Sequence, residues 1–443
     1  MVEGLRDHPL RAALNAEVHS RPFASLQSPQ RISHLALLSG EGAAERERRH
    51  VAELCESRGV AGPPPGTNHF YCDLGPFRLK WERHTEFSTY TFFVAGPFAE
   101  SPFAESPFAD RPFAGRALDR VPRQWVAGLP GDLLVGVHLE LLATSAPEPD
   151  AAALQAVFGH DSINGSLVTG GAAAVWMDFR VQDDGFARIL LRDVSLKPRQ
   201  AGRLVQRLLE IETYRLMALL AFPAAKRHSA GLASIGERLT GITGQLTEIE
   251  DMGAERRLLD ALMTLASEIE DVAAATNYRF SAARAYYALV LRRVEELREQ
   301  RVEGLQTLSE FVDRRLAPAM RTCEAVGERL ETLSRRVARA SQLLRARVDI
   351  QLEAQNRDLL ESMNRRVRLQ LRLQQTVEGL SVAAITYYLA SLVGYLAKGA
   401  KAFGVALDPE VATAAAIPLL ALAVWYGLRR LHRLLRREDA APD

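Results

Sequence analysis

The sequence predicts an α+β N-terminal domain, followed by a long α-helical stalk and a C-terminal two-helix transmembrane hairpin. Three observations support this prediction. Short runs rich in Val, Ile, Phe, Tyr and Trp occur throughout residues 1–197, as expected of strands. A helical period of apolar residues then replaces them. Near the end, two uncharged stretches each have the length needed to cross about 30 Å of hydrocarbon.

The composition excludes several classes of protein. The 443 residues have a formal net charge of +1, which argues against a nucleic-acid partner. The three cysteines, Cys55, Cys72 and Cys323, form no CxxC pair, so neither a disulfide framework nor a zinc site is predicted. No basic and apolar segments of a signal peptide are apparent at the start. We therefore expect the bulk of the chain to lie in the cytoplasm.

The N-terminal domain, residues 1–197, is predicted to hold one helix and six strands. The helix is a charged run at residues 43–58 that ends before Gly59, a residue that commonly stops helices. The strands are short apolar or alternating segments. They lie at residues 31–38, 77–81, 85–94, 133–142, 172–181 and 186–194.

A Pro-Phe-Ala repeat interrupts this domain at residues 96–115. The tripeptide recurs every five residues, and proline at that density excludes a helix or a central strand. We interpret the segment as a surface loop lengthened by repeat expansion. Such an insertion is tolerated because the entropic cost of closing a loop grows only slowly with its length. The alternative is an exposed docking strip formed by Phe98, Phe103, Phe108 and Phe113.

The predicted stalk covers residues 198–378. It begins at Pro198, a favourable first-turn residue, and contains no further strand-like runs. From Leu330 to Leu371 the apolar positions repeat about every 3.7 residues, which is typical of nearly straight helices that run side by side. We expect one very long helix here, resembling one strand of a coiled coil.

The predicted transmembrane hairpin covers residues 379–428, with spans at 379–397 and 411–428. Arginines precede the first span and follow the second, in a basic tail at residues 429–443, whereas the short connection has two lysines and two acids. The positive-inside rule therefore predicts a multi-pass protein of the inner membrane with both termini cytoplasmic. The lipid bilayer is the first predicted partner.

The first span carries a continuous face of small residues. Small side chains let helices approach closely in lipid, so this face predicts helix packing, within a hairpin or between copies, or else a pore lining. A homo-oligomer is therefore expected. The face consists of Gly379, Ala383, Thr386, Ala390, Gly394 and Ala397.

No catalytic motif is present, so the sequence predicts neither an enzyme nor a cofactor. The segment 165–171 is glycine-rich but lacks the pattern of a phosphate-binding loop, and we interpret it as a turn. The best metal candidates are Glu82, His84 and Glu86, which with Lys80 share one face of a strand and point to a divalent cation as a candidate partner. The favoured alternative is a solvated polar face, whose acids Lys80 and Arg83 neutralise.

Four motifs resemble the membrane-anchored proteins of domain-of-unknown-function family 3422. They begin at His8 (HPLRAALNAEVHSRPF), Gly75 (GPFRLKWERHTEFSTYT), Gly170 (GGAAAVWMDFR) and Gln374 (QQTVEGLS). The resemblance covers nearly the whole chain except the Pro-Phe-Ala repeat. Since that family has no established activity, it implies the architecture and no catalytic residues.

The order of elements is also similar to that of CorA-type magnesium transporters. This chain departs from their Gly-Met-Asn motif after the first span, where it has Gly394, Tyr395 and Leu396. Two functional hypotheses follow. One is an oligomeric CorA-like ion channel, transporter or regulator, and the alternative is a membrane-tethered scaffold or ligand-binding protein without transport activity. A membrane-tethered enzyme ranks last.

Overall fold

The chain divides by its contacts into a first unit, Met1–Ser341, and a second unit, Gln342–Asp443. The computed structural model describes residues 7–11, 14–15, 23–96, 113, 115–246, 252–402 and 408–438. The predicted order, a sheet domain followed by long helices, is confirmed. Most of the predicted Pro-Phe-Ala loop and residues 439–443 of the predicted tail lie outside the described part.

Within the described residues, the first unit contains one mixed sheet of nine strands. They are β1 (Gln30–Leu38), β2 (His69–Asp73), β3 (Arg78–Arg83), β4 (Phe87–Ala95), β5 (Asp132–Leu142), β6 (Asn164–Val168), β7 (Ala173–Met177), β8 (Ala187–Asp193) and β9 (Gln300–Arg301). Their order is β2-β3-β4-β1-β5-β8-β7-β6-β9. Among these nine strands, only β5 and β8 pair in parallel.

The described helices continue from the sheet to the end of the chain. They are α1 (Ala44–Glu56), α2 (Arg123–Ala127), α3 (Ala151–Phe158), α4 (Pro198–Leu219), α5 (Ala221–Gln245), α6 (Met252–Leu297), α7 (Leu308–Phe311), α8 (Ala317–Ala402) and α9 (Pro409–Glu438). A π-helical turn, Val312–Leu316, joins α7 to α8 without a break. Helix α8 begins in the first unit and continues into the second.

One face of the sheet is covered by α1 and by the segment that contains α2. Because strand residues alternate between faces, Leu79 and Trp81 point to this side, where they cluster with Val51 and Leu54 of α1. Trp81 is fully buried. Burial of each such side chain contributes about 2 kcal/mol, so this layer supplies much of the core.

The opposite face is covered by α4. Its buried residues include Leu204, Leu208 and Ile211, which share one side of a helix because they are spaced by four and three residues. The sequence placed the start of a stalk at residue 198. The structure instead makes α4 a layer of the first unit, which extends to Ser341.

Several strands differ from the sequence prediction. The strands β2 and β9 were not predicted, and β6 includes residues that we interpreted as a turn. The predicted strand at 85–94 begins later, at Phe87, so His84 lies in the connection between β3 and β4. The predicted helix at 43–58 is confirmed as α1.

Phe113, the last phenylalanine of the Pro-Phe-Ala repeat, lies in the core. It is only 4% exposed and belongs to a buried cluster with Leu142, Leu154 and Leu190. The alternative of an exposed docking strip is therefore wrong at Phe113, and the other three phenylalanines of that strip lie outside the described part of the chain.

The second unit contains the part of α8 from Gln342 onward and the helix α9. Two helical segments, Leu308–Ala402 and Pro409–Arg430, contain windows that are long and apolar enough to cross a membrane, judged by length and composition. A Cβ atom on Gly394 would lie 3.2 Å from Oγ1 of Thr413, so the two helices approach closely at this point.

Candidate ligand-binding cavity

A cavity of about 250 Å³ lies in the first unit between the sheet and α4. One wall comes from β1, β3 and β4, and the other from α4 with one residue of α6. The polar lining residues are His34, Lys80, Glu82, His84, Thr89, Thr91, Gln206, Glu210, Thr213, Tyr214 and Arg293. Apolar side chains, among them Phe87 and Leu209, complete the lining.

The wall formed by the strands results from the alternation of side chains along each strand and from the pairing of β3 with β4. Lys80 and Glu82 are two residues apart on β3 and therefore share a face. Lys80 pairs with Thr91 across to β4, and Glu82 pairs with Thr89. Hydroxyl groups therefore lie beside the charged side chains on the same face of the sheet.

The helix wall comes from a polar row on α4. Gln206, Glu210 and Thr213 are spaced by four and three residues, so they lie on one side of the helix. This side faces the sheet, since Gln206 and Thr213 both contact strand residues. The sequence prediction missed these residues, although a polar row beside a buried apolar row on one helix is a visible signal.

His34 is buried in the cavity wall and is held neutral there. Thr213 donates its hydroxyl hydrogen to the carbonyl of Leu209, 2.8 Å away, so its Oγ1 accepts from Nε2 of His34 at 3.1 Å. The Nδ1 atom of His34 then accepts from the hydroxyl of Thr91 at 2.8 Å. Burial, with a smaller contribution from Lys80, lowers the pKa of His34 to about 3.

The charges on the cavity wall are paired with one another. Lys80 Nζ lies 3.0 Å from a carboxylate oxygen of Glu82 and donates to Gln206 Oε1 at 3.3 Å. Gln206 in turn donates to Glu210 at 2.7 Å, and Glu210 also accepts from Arg293. The cavity lining therefore holds two cations and two carboxylates that are linked in one network, and Arg293 also donates to Glu296 outside the lining.

The three predicted metal residues have different partners. Glu82 pairs with Lys80, and the imidazole of His84 stacks on Phe87 with ring centroids 4.3 Å apart. Glu86 accepts from Arg279 of α6 and from the Tyr286 hydroxyl. In the described part of the chain, no group of three or more His, Cys, Asp and Glu side chains is placed to hold a metal ion.

The favoured interpretation of this strand face as solvated is wrong. Lys80 is only 7% exposed, because α4 covers the face that we expected to meet water. Arg83 does not neutralise these acids either. It points to the other side of the sheet, where it donates to Glu47 of α1 at 2.8 Å. The polar face thus lines the cavity between the sheet and α4.

The predicted small-residue face is partly covered in the second unit. Thr386, Ala390 and Ala397 are buried, and Gly394 lies against Thr413 of α9. The first two members of the face, Gly379 and Ala383, are exposed. Part of the predicted small-residue face of α8 therefore packs against α9, with the close approach at Gly394.

A comparison with protein families finds a match along almost the whole chain. The family described as protein of unknown function (DUF3422) matches residues 6–435, so the resemblance indicated by the four motifs is confirmed. No curated protein matches the chain. The comparisons do not support the expected similarity to CorA-type transporters.

Proposed function

The chain belongs to the DUF3422 family, and from its own geometry we propose that it is a membrane-anchored protein that binds a small polar ligand. The observation that supports this proposal is the cavity between the sheet and α4, whose lining combines charged side chains with the buried hydroxyl groups of Thr89, Thr91 and Thr213. Concave sites that combine apolar walls with a few convergent polar groups are the usual places for ligands.

The lining favours a ligand without net charge. The two cations and two carboxylates of the wall already neutralise one another, and His34 is neutral at pH 7. A ligand with a net charge would find no unpaired opposite charge among these wall residues, and placing it there is costly. A volume of about 250 Å³ is below that of sites for drug-sized molecules, so the ligand is small. A small zwitterion or a neutral polyol fits these conditions.

The C-terminal helices are proposed as the membrane anchor. Both contain apolar windows of spanning length, and the large apolar side chains of Leu380 and Leu419 are more than 70% exposed. Such side chains favour lipid over water. The arginines before the first span and after the second support an orientation with both ends of the hairpin cytoplasmic.

The ligand proposal is tested on the purified full chain in detergent. Thermal unfolding of the first unit is followed by tryptophan fluorescence with glycine as a zwitterionic probe, glucose as a neutral probe and inorganic phosphate as an anionic probe. We expect glycine or glucose, but not phosphate, to raise the melting temperature, because a ligand that binds only the folded state stabilises it.

The variant Lys80→Met removes one charge from the wall and leaves Glu82 without its cation. We expect it to abolish the shift caused by the probe and to lower stability by about 3 kcal/mol. The matched control is Lys226→Met, since Lys226 is exposed on α5 and lies outside the cavity. If both variants respond to the probes as the wild type does, the cavity is not the binding site.

An oligomeric ion channel or transporter is the second candidate. It is favoured by the exposed start of the small-residue face at Gly379 and Ala383, which a neighbouring copy would cover. In liposomes, the full chain should then carry a flux of a mono- or divalent cation. A purified oligomer that gives no such flux would exclude transport and leave the ligand proposal intact.

A further inference from the structure

Two of the three cysteines, Cys55 and Cys72, lie side by side in the core of the first unit. Their sulfur atoms are 3.8 Å apart, and both residues are free thiols. Cys55 lies in the last turn of α1, and Cys72 is the fourth residue of β2. Seventeen positions separate them in the sequence, so it is the fold that brings the pair together.

The surroundings of the two thiols are apolar. The same buried cluster contains Val51, Leu54 and Leu79. In the described part of the chain, no third His, Cys, Asp or Glu completes a metal site around the pair. The chemistry open to the two thiols is therefore a bond with each other. A disulfide bond is about 2.05 Å long, so the sulfurs need to approach by less than about 2 Å, which small rotations of both side chains supply.

A small oxidant can reach the pair from the edge of the sheet. The strand β2 is outermost, and among the described strands it pairs with β3 alone. Cys72 is 7% exposed, and its neighbours Tyr71 and Asp73 are exposed. A strand that is held on one side opens locally at a lower cost than a central strand. Hydrogen peroxide, which is little larger than water, can enter when this strand opens.

We propose that Cys55 and Cys72 form a reversible disulfide bond when the protein meets a hydroperoxide. The bond links the end of α1 to the outermost strand of the sheet. It is a site of oxidative modification on the face of the sheet opposite the ligand cavity.

Cys55 is the thiol that reacts first. With Cys72 as the donor, the hydrogen bond between the two thiols lowers the pKa of Cys55 and raises the pKa of Cys72. The thiolate is the nucleophile in thiol chemistry, so the thiol with the lower pKa attacks the oxidant.

The reaction has two steps. The Cys55 thiolate attacks one oxygen of hydrogen peroxide and the O–O bond breaks. The hydroxide that leaves takes up the proton that Cys55 released, and Cys55 becomes a sulfenic acid. Cys72 then loses its proton and attacks the Cys55 sulfur, which breaks the S–O bond and releases the second water. The two thiols have lost two electrons and two protons, and the peroxide has become two waters.

The test uses the full chain in detergent, reduced, freed of reductant and then treated with hydrogen peroxide. Free thiols are counted with dithionitrobenzoate after denaturation. We expect the count to fall from three to one, and to return to three after dithiothreitol. A tryptic digest without reductant should show residues 50–58, which contain Cys55, joined to residues 59–78, which contain Cys72.

The melting temperature gives a second measurement on the same samples. The bond closes a loop of seventeen residues in the unfolded chain. We expect oxidation to raise the melting temperature of the first unit by about 4 °C, because the closed loop lowers the entropy of the unfolded state.

The third cysteine provides the matched control. Cys323 is buried in α8, where it is a single thiol. Cys323→Ala should still give the joined peptides, and Cys72→Ala should give none. The proposal would be overturned by a wild type that keeps three thiols, that loses thiols without the joined peptides, or that links Cys323. A melting temperature that falls on oxidation would overturn it too, since the folded state would then not accept the bond.

Discussion

Helix α8 repeats the same apolar spacing in both units, but the two parts have different surroundings. Leu333, in the first unit, is 3% exposed, whereas Leu359 and Met363, in the second, are 63% and 55% exposed. The spacing of about 3.7 residues is common to both. Periodicity therefore predicts that a segment is helical and which residues share a side, but it does not tell what covers that side.

The largest difference between the two parts of α8 is expected in the free energy of unfolding when a leucine is replaced by alanine. Leu333→Ala should lower the free energy of unfolding by about 3 kcal/mol, because it leaves a cavity in a packed interior. Leu359→Ala should change it by less than about 0.5 kcal/mol, as exposed substitutions do. Urea unfolding of the full chain in detergent measures both values.

A loss at Leu359 as large as that at Leu333 would break the comparison. It would mean that a second copy covers the exposed side of α8, and the loss should then depend on protein concentration. Equal melting curves at two concentrations would support the contrast instead.

A pH change offers a way to weaken the first unit alone. The pKa of His34 is about 3 in the folded state and 6.5 in the unfolded chain. As the pH falls below 6.5, the unfolded chain binds a proton that the folded state does not bind, so the free energy of unfolding decreases. His34→Gln removes this titration. Between pH 7 and pH 5, the stability difference between wild type and variant should shrink by about 2 kcal/mol.

Urea unfolding at the two pH values, followed by tryptophan fluorescence, checks this expectation. Trp81, Trp125 and Trp176 report on the first unit. An unchanged difference would mean that His34 is not held neutral in the folded state.

The smallest effect is expected at the contact between α8 and α9. Gly394→Leu should lower the thermal stability of the helices by about 1 kcal/mol, because a side chain there meets Thr413. Gly399→Leu is the matched control, since a Cβ at Gly399 meets no atom within 4 Å. Circular dichroism in detergent compares the two, and equal melting temperatures would show that the contact carries no stability.

The sequence predicted the regular elements well where they are long or apolar. Strand β5 and helix α1 follow directly from local pattern, and α8 follows from its period. Strand β9 is only two residues long, Gln300–Arg301, and exists because it pairs with β6. No local pattern in two polar residues reveals such a partner.

The sequence predicted only one wall of the cavity, for a related reason. Lys80 and Glu82 were recognised as one polar face, but the residues that cover this face come from more than a hundred positions further on. Whether such a face meets water or a second layer depends on that distant packing. The polar row on α4 forms the wall that the sequence did not predict.

The two ends of the sheet have a consequence for how copies of this protein behave near one another. The outermost strands are β2, with five residues, and β9, with two, and they bear the charged side chains Asp73 and Arg301. Long, flat, uncharged edges are templates for pairing between chains. Short edge strands with charged side chains disfavour such pairing. At high concentration, copies of this protein should therefore resist aggregation through the edges of their sheets.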